Sequence, residues 1–281
     1  MMKNKDYNNI NISLSDSVAL ITLNRPSSLN ALSEDLLNEL EAILIDIEND
    51  KDVLIFIITG ANRDDGRPCF SAGADIKNRK MTSSPKGEPL AHTIDGMRDL
   101  GNEVFPKNQS RYNEVFTMLE NMQTPSIAAL DGICTTGGLE LILSCDMRVV
   151  GTAVEISDWH TKNLQAIGGA GVTSRLPKLI GAAKAKEMLW TGKVINADEA
   201  VAIGLANQKF SSEKLIEEAM SIASTISSMS PFAISASKAV INKSQDQSTQ
   251  DSIRFAQVWS ALIAAQKEDS TSLPPPHPLN D

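Results

Sequence analysis

The chain has 281 residues, 42% of them hydrophobic and 22% charged, with a formal net charge of −9. That length can bury a full core, and it predicts one domain with an appendage. The acidic balance argues against a nucleic-acid or anionic-membrane surface, which would need basic patches, so an anionic ligand must rely on local cations.

The opening stretch MMKNKDYNNI has neither the apolar run of a signal peptide nor the arginine-rich character of a transit peptide. No segment reaches the ~18 apolar residues of a membrane span. Cys69, Cys134 and Cys145 are odd in number and unpaired in spacing, which reads as reduced thiols. The expectation is a cytoplasmic protein with no membrane or nucleic-acid partner.

Val18–Leu23 (VALITL) is a β-branched run ending at Asn24-Arg25-Pro26, a strand and a turn. Ser33 is placed to cap a helix carrying Leu36, Leu40, Ile43, Leu44 and Ile47 at helical spacing. Val53–Ile58 is apolar on both faces, as a covered parallel strand would be. Lys77–Ser110 is polar and weakly periodic, with three prolines and three glycines, and reads as a long loop over a site. Pro125–Leu130 and Met147–Val150 repeat the buried-strand pattern, with a helix at Gly137–Leu143 between them. This alternation predicts an α/β layered core with crossover connections. After about residue 180 the strand signal fades. Helices are expected at 182–190, 197–203, 213–227, 232–242 and 249–266, forming a helical appendage, and the proline tail 273–281 is expected to be extended.

Three segments carry candidate chemistry. Cys69–Asp75 (CFSAGAD) offers small residues after a strand, so a ligand can approach backbone N–H groups closely. Asp131–Glu140 runs from a strand through glycines into a helix, whose first turn has unpaired N–H groups and a positive dipole end. Ile167–Gly171 is a glycine-rich turn beyond Trp159-His160-Thr161. Each alone also has a purely structural reading: a glycine turn, or an acidic residue favoured near a helix start. Two such turns after two buried strands favour a ligand crevice.

With these segments the sequence resembles the crotonase, or enoyl-CoA hydratase/isomerase, superfamily from about Val18 to about Ile241. The anchors are NRPSSLNAL (Asn24–Leu32), FSAGADIK (Phe70–Lys77), PSIAALDGICTTGGLELILSCD (Pro125–Asp146), GGAGVTSRLPKLIG (Gly168–Gly181) and TGKVINADEAVAIGL (Thr191–Leu205). The resemblance implies an α/β fold with a layered ββα spiral core over residues 1–180, an oligomerisation region of helices over 181–270 and a Pro-rich tail over 271–281. The implied assembly is a homotrimer or a dimer of trimers. The implied substrate is an acyl-CoA thioester, with coenzyme A as part of the substrate, no separate cofactor and no metal. It implies that the N–H groups of Ala74 and Gly137 form an oxyanion hole for an enolate, typically about 3–4 kcal/mol per donor. It implies that Glu140 is a general acid/base. Ala72, Asp75, Ile76 and Gly138 flank the two donors, and Trp159, His160 and Thr161 border the acyl side. Arg25 and Lys77 are the basic candidates for the phosphates.

Two departures shape the functional expectation. The second hydratase glutamate falls on Thr161, a poor acid/base, leaving Glu114, Asp158 or His160 as possible replacements. In an extended segment Trp159 and Thr161 would share one face. The Trp159-His160-Thr161 triplet is similar to that of aryl-CoA dehalogenases, but residues 162–175 contain no Asp or Glu to serve as their nucleophile. The chain also ends in a proline tail instead of a basic coenzyme A-contacting stretch. The expected reaction is an enoyl-CoA hydratase/isomerase-like lyase step, with a bulky or cyclic acyl group as one candidate. The alternatives are hydrolysis of a thioester or a β-keto C–C bond, and a non-catalytic coenzyme A-binding member. A serine hydrolase elbow is absent, since Cys69 stands two residues before Ser71. His92, His160 and His277 have no metal-ligand spacing with the cysteines.

Overall fold

The strands alternate between two sheets. A computed structural model describes residues 6–75 and 107–269. Ile10–Ser15 (β1), Val18–Leu23 (β2), Ile55–Gly60 (β3), Ser126–Leu130 (β5), Met147–Gly151 (β7) and Gln208–Phe210 (β9) form a sheet in the order β1-β2-β3-β5-β7-β9. Cys69–Ser71 (β4), Ile133–Thr135 (β6) and Glu155–Ser157 (β8) form a smaller one in the order β4-β6-β8. Among the described strands only β1 and β2 pair antiparallel with each other, across a tight turn in which Asp16 adopts φ +50. The other pairings are parallel. The chain thus adds a strand to the large sheet, then one to the small sheet, then a helix. This is the layered ββα spiral expected from the motifs.

The helices follow from local signals. In Glu34–Asn49 (α1) the Ser33 hydroxyl accepts from Leu36 N–H, and the buried stripe is Leu36, Leu37, Leu40, Ile43, Leu44 and Ile47. Lys107–Asn121 (α2), Gly137–Leu143 (α3), His160–Leu164 (α4), Val172–Ile180 (α5), Ala182–Thr191 (α6), Ala197–Ala202 (α7) and Leu215–Ser227 (α8) complete the first unit. Strand β3 is covered on both faces. Phe56 and Ile58 join the core containing α1 and α2, while Ile55 and Ile57 meet Leu215, Ala219 and Ala223 of α8. Each such large side chain removed from water contributes about 1.5–3 kcal/mol.

The chain divides into two compact units between Ser227 and Ser228. The break therefore lies beyond the sequence-based boundary near residue 180, because α8 seals one face of the large sheet and belongs with the core. The second unit holds Pro231–Ser244 (α9) and Thr249–Asp269 (α10), joined by the edge-to-face contact of Trp259 with Phe232 at 5.7 Å, while Phe255 of α10 meets Trp259 at 6.2 Å. Strand β9 corrects the expectation of helices alone after residue 180; three residues, mostly exposed, give too little pattern to read. Helices α4 and α5 were likewise not anticipated. Of the expected loop 77–110, the last four residues lie in α2 and the rest falls outside the described residues, as does the proline tail. Among the described residues no helix is long and apolar enough to cross a membrane.

Candidate active site

The two expected donors lie on loops that touch. Leu32 N–H donates to Gly73 O at 2.7 Å and Asp75 N–H donates to Leu32 O at 3.1 Å, so this bridge skips the N–H of Ala74. Gly137 opens α3, where the first N–H groups have no partner within the helix. Among the described residues neither N–H finds a protein acceptor. A Cβ on Gly137 would stand 3.2 Å from Ala74 N, tighter than ordinary contact, so the approach of the two donors favours glycine there. Gly138 packs as closely against Ser71.

Side chains hold this geometry. Ser71 Oγ donates to Asn30 O at 2.8 Å and accepts Gly73 N–H at 3.1 Å. Asn30 is fully buried at φ +52; its Nδ2 donates to Ala61 O and Cys69 O, and its Oδ1 accepts from Arg25 N–H. The NRPSSLNAL motif is therefore the frame of the Ala74 loop. Thr136 sits at φ +49, ψ −116, a conformation that costs a β-branched residue energy, and its hydroxyl donates to Ala72 O at 3.3 Å. That bond ties the Ala74 loop to the start of α3.

Glu140, in the first turn of α3, is 3% exposed. Its Oε1 accepts Ala170 N–H at 2.8 Å and Val172 N–H at 3.3 Å from the glycine-rich turn. Burial raises its pKa above the usual carboxylate range; the charge of His160 and the two N–H groups oppose that rise, and the Asp158 charge adds to it. A carboxyl whose pKa is raised holds a proton more readily than a free one, which suits it to proton exchange. Arg175 fixes the turn: it donates to Ala170 O at 2.8 Å and pairs with Glu120 at 2.7 Å.

The other expected site residues separate into groups. Ala72, Ala74, Asp75, Gly137 and Gly138 come together with Glu140 on the adjoining helix. Arg25 pairs with Asp75 at 2.8 Å and lines a cavity of about 320 Å³ shared with Leu32, Ala74, Arg111 and Tyr112. Residues 158–161 are not extended as supposed: the Asp158 side chain accepts His160 N–H at 3.0 Å and starts helix α4. Thr161 is consequently exposed, its hydroxyl donating to Ala166 O at 3.4 Å. Trp159 packs at Gly192, where a Cβ would approach its ring to 3.3 Å. Ile76 and Lys77 lie outside the described residues. Asn30, Ser71, Tyr112 and Arg175 were missed as supports, since each works through backbone carbonyls that no spacing reveals. Among the described residues no three His, Cys, Asp or Glu side chains cluster as a metal site.

The enoyl-CoA hydratase/isomerase family model matches residues 13–270. The chain is 36% identical over 238 residues to the short-chain-enoyl-CoA hydratase of Clostridium acetobutylicum, covering 85% of this chain and 82% of that one. It is 34% identical over 237 residues to the crotonyl-CoA hydratase of Syntrophomonas wolfei, covering 84% and 82%. The crystal structure of the enoyl-CoA hydratase from Bacillus anthracis aligns with a TM-score of 0.77 at 31% identity, covering 95% of this chain and 98% of that one. The chain belongs to the enoyl-CoA hydratase/isomerase family.

Proposed function

We propose that the protein catalyses the reversible hydration of a short-chain enoyl-CoA. One observation carries this reading: the N–H groups of Ala74 and Gly137, without protein acceptors among the described residues, lie close together, and the helix that Gly137 opens carries the buried Glu140 carboxyl. The thioester oxygen accepts from Ala74 and Gly137, which draws electrons from the conjugated double bond and makes Cβ electrophilic. Glu140 takes a proton from water as the O–Cβ bond forms, and the charge rests on the thioester oxygen as an enolate. Protonation at Cα then restores the carbonyl. The step is redox-neutral and needs no cofactor beyond the coenzyme A of the substrate. The cavity beside Ala74, walled in part by Arg25 and Arg111, receives coenzyme A. The names of the Clostridium and Syntrophomonas relatives support a short acyl chain.

We also propose that the protein assembles as a homotrimer through the second unit, where Ile241, Ile253, Val258 and Leu262 are exposed. Light scattering on the full chain measures the mass directly, and a monomer would refute the assembly. The catalytic reading is tested by incubating the protein with crotonyl-, cinnamoyl- and cyclohexenoyl-CoA and identifying products by mass spectrometry. Addition of one water to crotonyl-CoA is expected; free coenzyme A as the only product would replace hydration with thioester hydrolysis.

A further inference from the structure

We propose that His160, oriented by Asp158, is the second proton-transfer group of this site and delivers the proton to Cα; the proposal rests on the hydratase reading. Asp158 is 1% exposed at the end of β8 and spends both carboxylate oxygens on one neighbour. Oδ1 accepts the His160 backbone N–H at 3.0 Å, and Oδ2 meets His160 Nδ1 at 2.8 Å. Starting helix α4 needs only the first of these bonds. The second fixes the imidazole ring: a carboxylate can only accept, so Nδ1 carries a proton and the proton exchanged in a reaction belongs to Nε2.

The ring is also placed against Glu140. The Cβ that Gly168 lacks would lie 2.8 Å from Glu140 Oε1 and 3.2 Å from His160 Nδ1, so the two atoms are within about 6 Å of each other. Gly168 thus leaves the space between carboxyl and imidazole free of a side chain. The charges of His160 and Asp158 reach the Glu140 carboxyl with opposite signs, as neighbours in one electrostatic group must. Thr161, where the resemblance places a second carboxylate, is exposed and faces Ala166 O. One residue earlier, the chain supplies a different proton carrier, held by a buried acid.

The step balances. As water adds to Cβ, Glu140 takes its proton and the double-bond electrons move to the thioester oxygen. Imidazolium gives its Nε2 proton to Cα, the enolate collapses to the carbonyl, and the proton on Glu140 returns to the imidazole through solvent. In the reverse sense neutral His160 removes a Cα proton. His160 would therefore also catalyse Cα hydrogen–deuterium exchange in a saturated acyl-CoA, where no hydration occurs.

The test compares the parent with His160→Gln, His160→Ala and Asp158→Asn. Three readouts are taken: crotonyl-CoA hydration, Cα exchange of butyryl-CoA in deuterium oxide, and the red shift of bound cinnamoyl-CoA, which reports carbonyl polarisation. His160→Gln is expected to lose about 100-fold or more in hydration and exchange, with red shift and Tm at parent values. Asp158→Asn should lose at least about 10-fold by favouring the wrong tautomer. Added imidazole should restore rate to His160→Ala. Exchange in His160→Gln within about threefold of the parent overturns the proposal, as does loss of red shift together with rate and no response to imidazole. A parent that exchanges Cα protons through His160 but hydrates nothing overturns the hydratase reading and leaves this assignment standing. A parent that does neither overturns both.

Discussion

The carbonyl-binding half of the site and the proton-transfer half are built by different means. In the proposed reaction Ala74 and Gly137 would act through backbone N–H groups, and a Cβ at Gly137 would crowd Ala74 N at 3.2 Å. Glu140, Asp158 and His160 would act through side-chain atoms, held by bonds within the 158–172 segment and from it to Glu140. A backbone device tolerates many neighbouring sequences provided the turns survive. A side-chain device is rewritten by one substitution.

Changes aimed at each half should separate their effects. The largest loss is expected for Glu140→Gln, about 10²–10⁴-fold in hydration, with the cinnamoyl-CoA red shift retained in the same titration. Its stability should move the other way. The Glu140 pKa is raised in the folded chain, so the native state holds that proton more tightly than the unfolded one. The associated stability is present below the unfolded carboxylate pKa and is lost as pH rises through the folded value. Glutamine escapes that loss and keeps the contacts to Ala170 and Val172. Calorimetry should show a Tm gain of about 2–4 °C at about pH 8 that disappears at about pH 4.

Gly137→Ala strikes the other half. It crowds Ala74 N and should cost about 10²–10³-fold with the red shift reduced in parallel; an unchanged red shift would place the carbonyl elsewhere. Asn30→Ala strips a fully buried hub of its hydrogen bonds and should destabilise the fold by about 2–3 kcal/mol in urea titration. Arg175→Met loosens the turn that holds Glu140 and should lower kcat about 10-fold with KM little changed. The smallest effect belongs to Thr161→Ala, less than about twofold in either constant; a larger loss would return that exposed position to the site.

Much of the architecture was legible because burial leaves a periodic trace. The stripe of α1, the two-faced apolar run of β3 and the glycine entry to α3 each carry it. Strands β4, β6, β8 and β9 have three residues each, too few for alternation to register. At the site, the resemblance carried by the FSAGAD and TTGGLE motifs pointed to Ala74, Gly137 and Glu140, and a Cβ on Gly137 would stand 3.2 Å from Ala74 N. Asn30, Ser71 and Arg175 could not, since they bond to carbonyls brought near only by the spiral. The supposed extended run at 158–161 failed for a local reason: the Asp158 side chain captured a backbone N–H and turned the segment into α4.

The two N–H groups that hold Glu140 come from Ala170 and Val172, thirty and more positions beyond it in the chain. During synthesis the frame of Asn30 and Ser71 is available early, and the donor at Gly137 follows. The carboxyl gains its partners only after the glycine-rich turn has left the ribosome. The acid of the proposed site is thus positioned by residues made after it, whereas the frame of the Ala74 loop is made before the donor at Gly137.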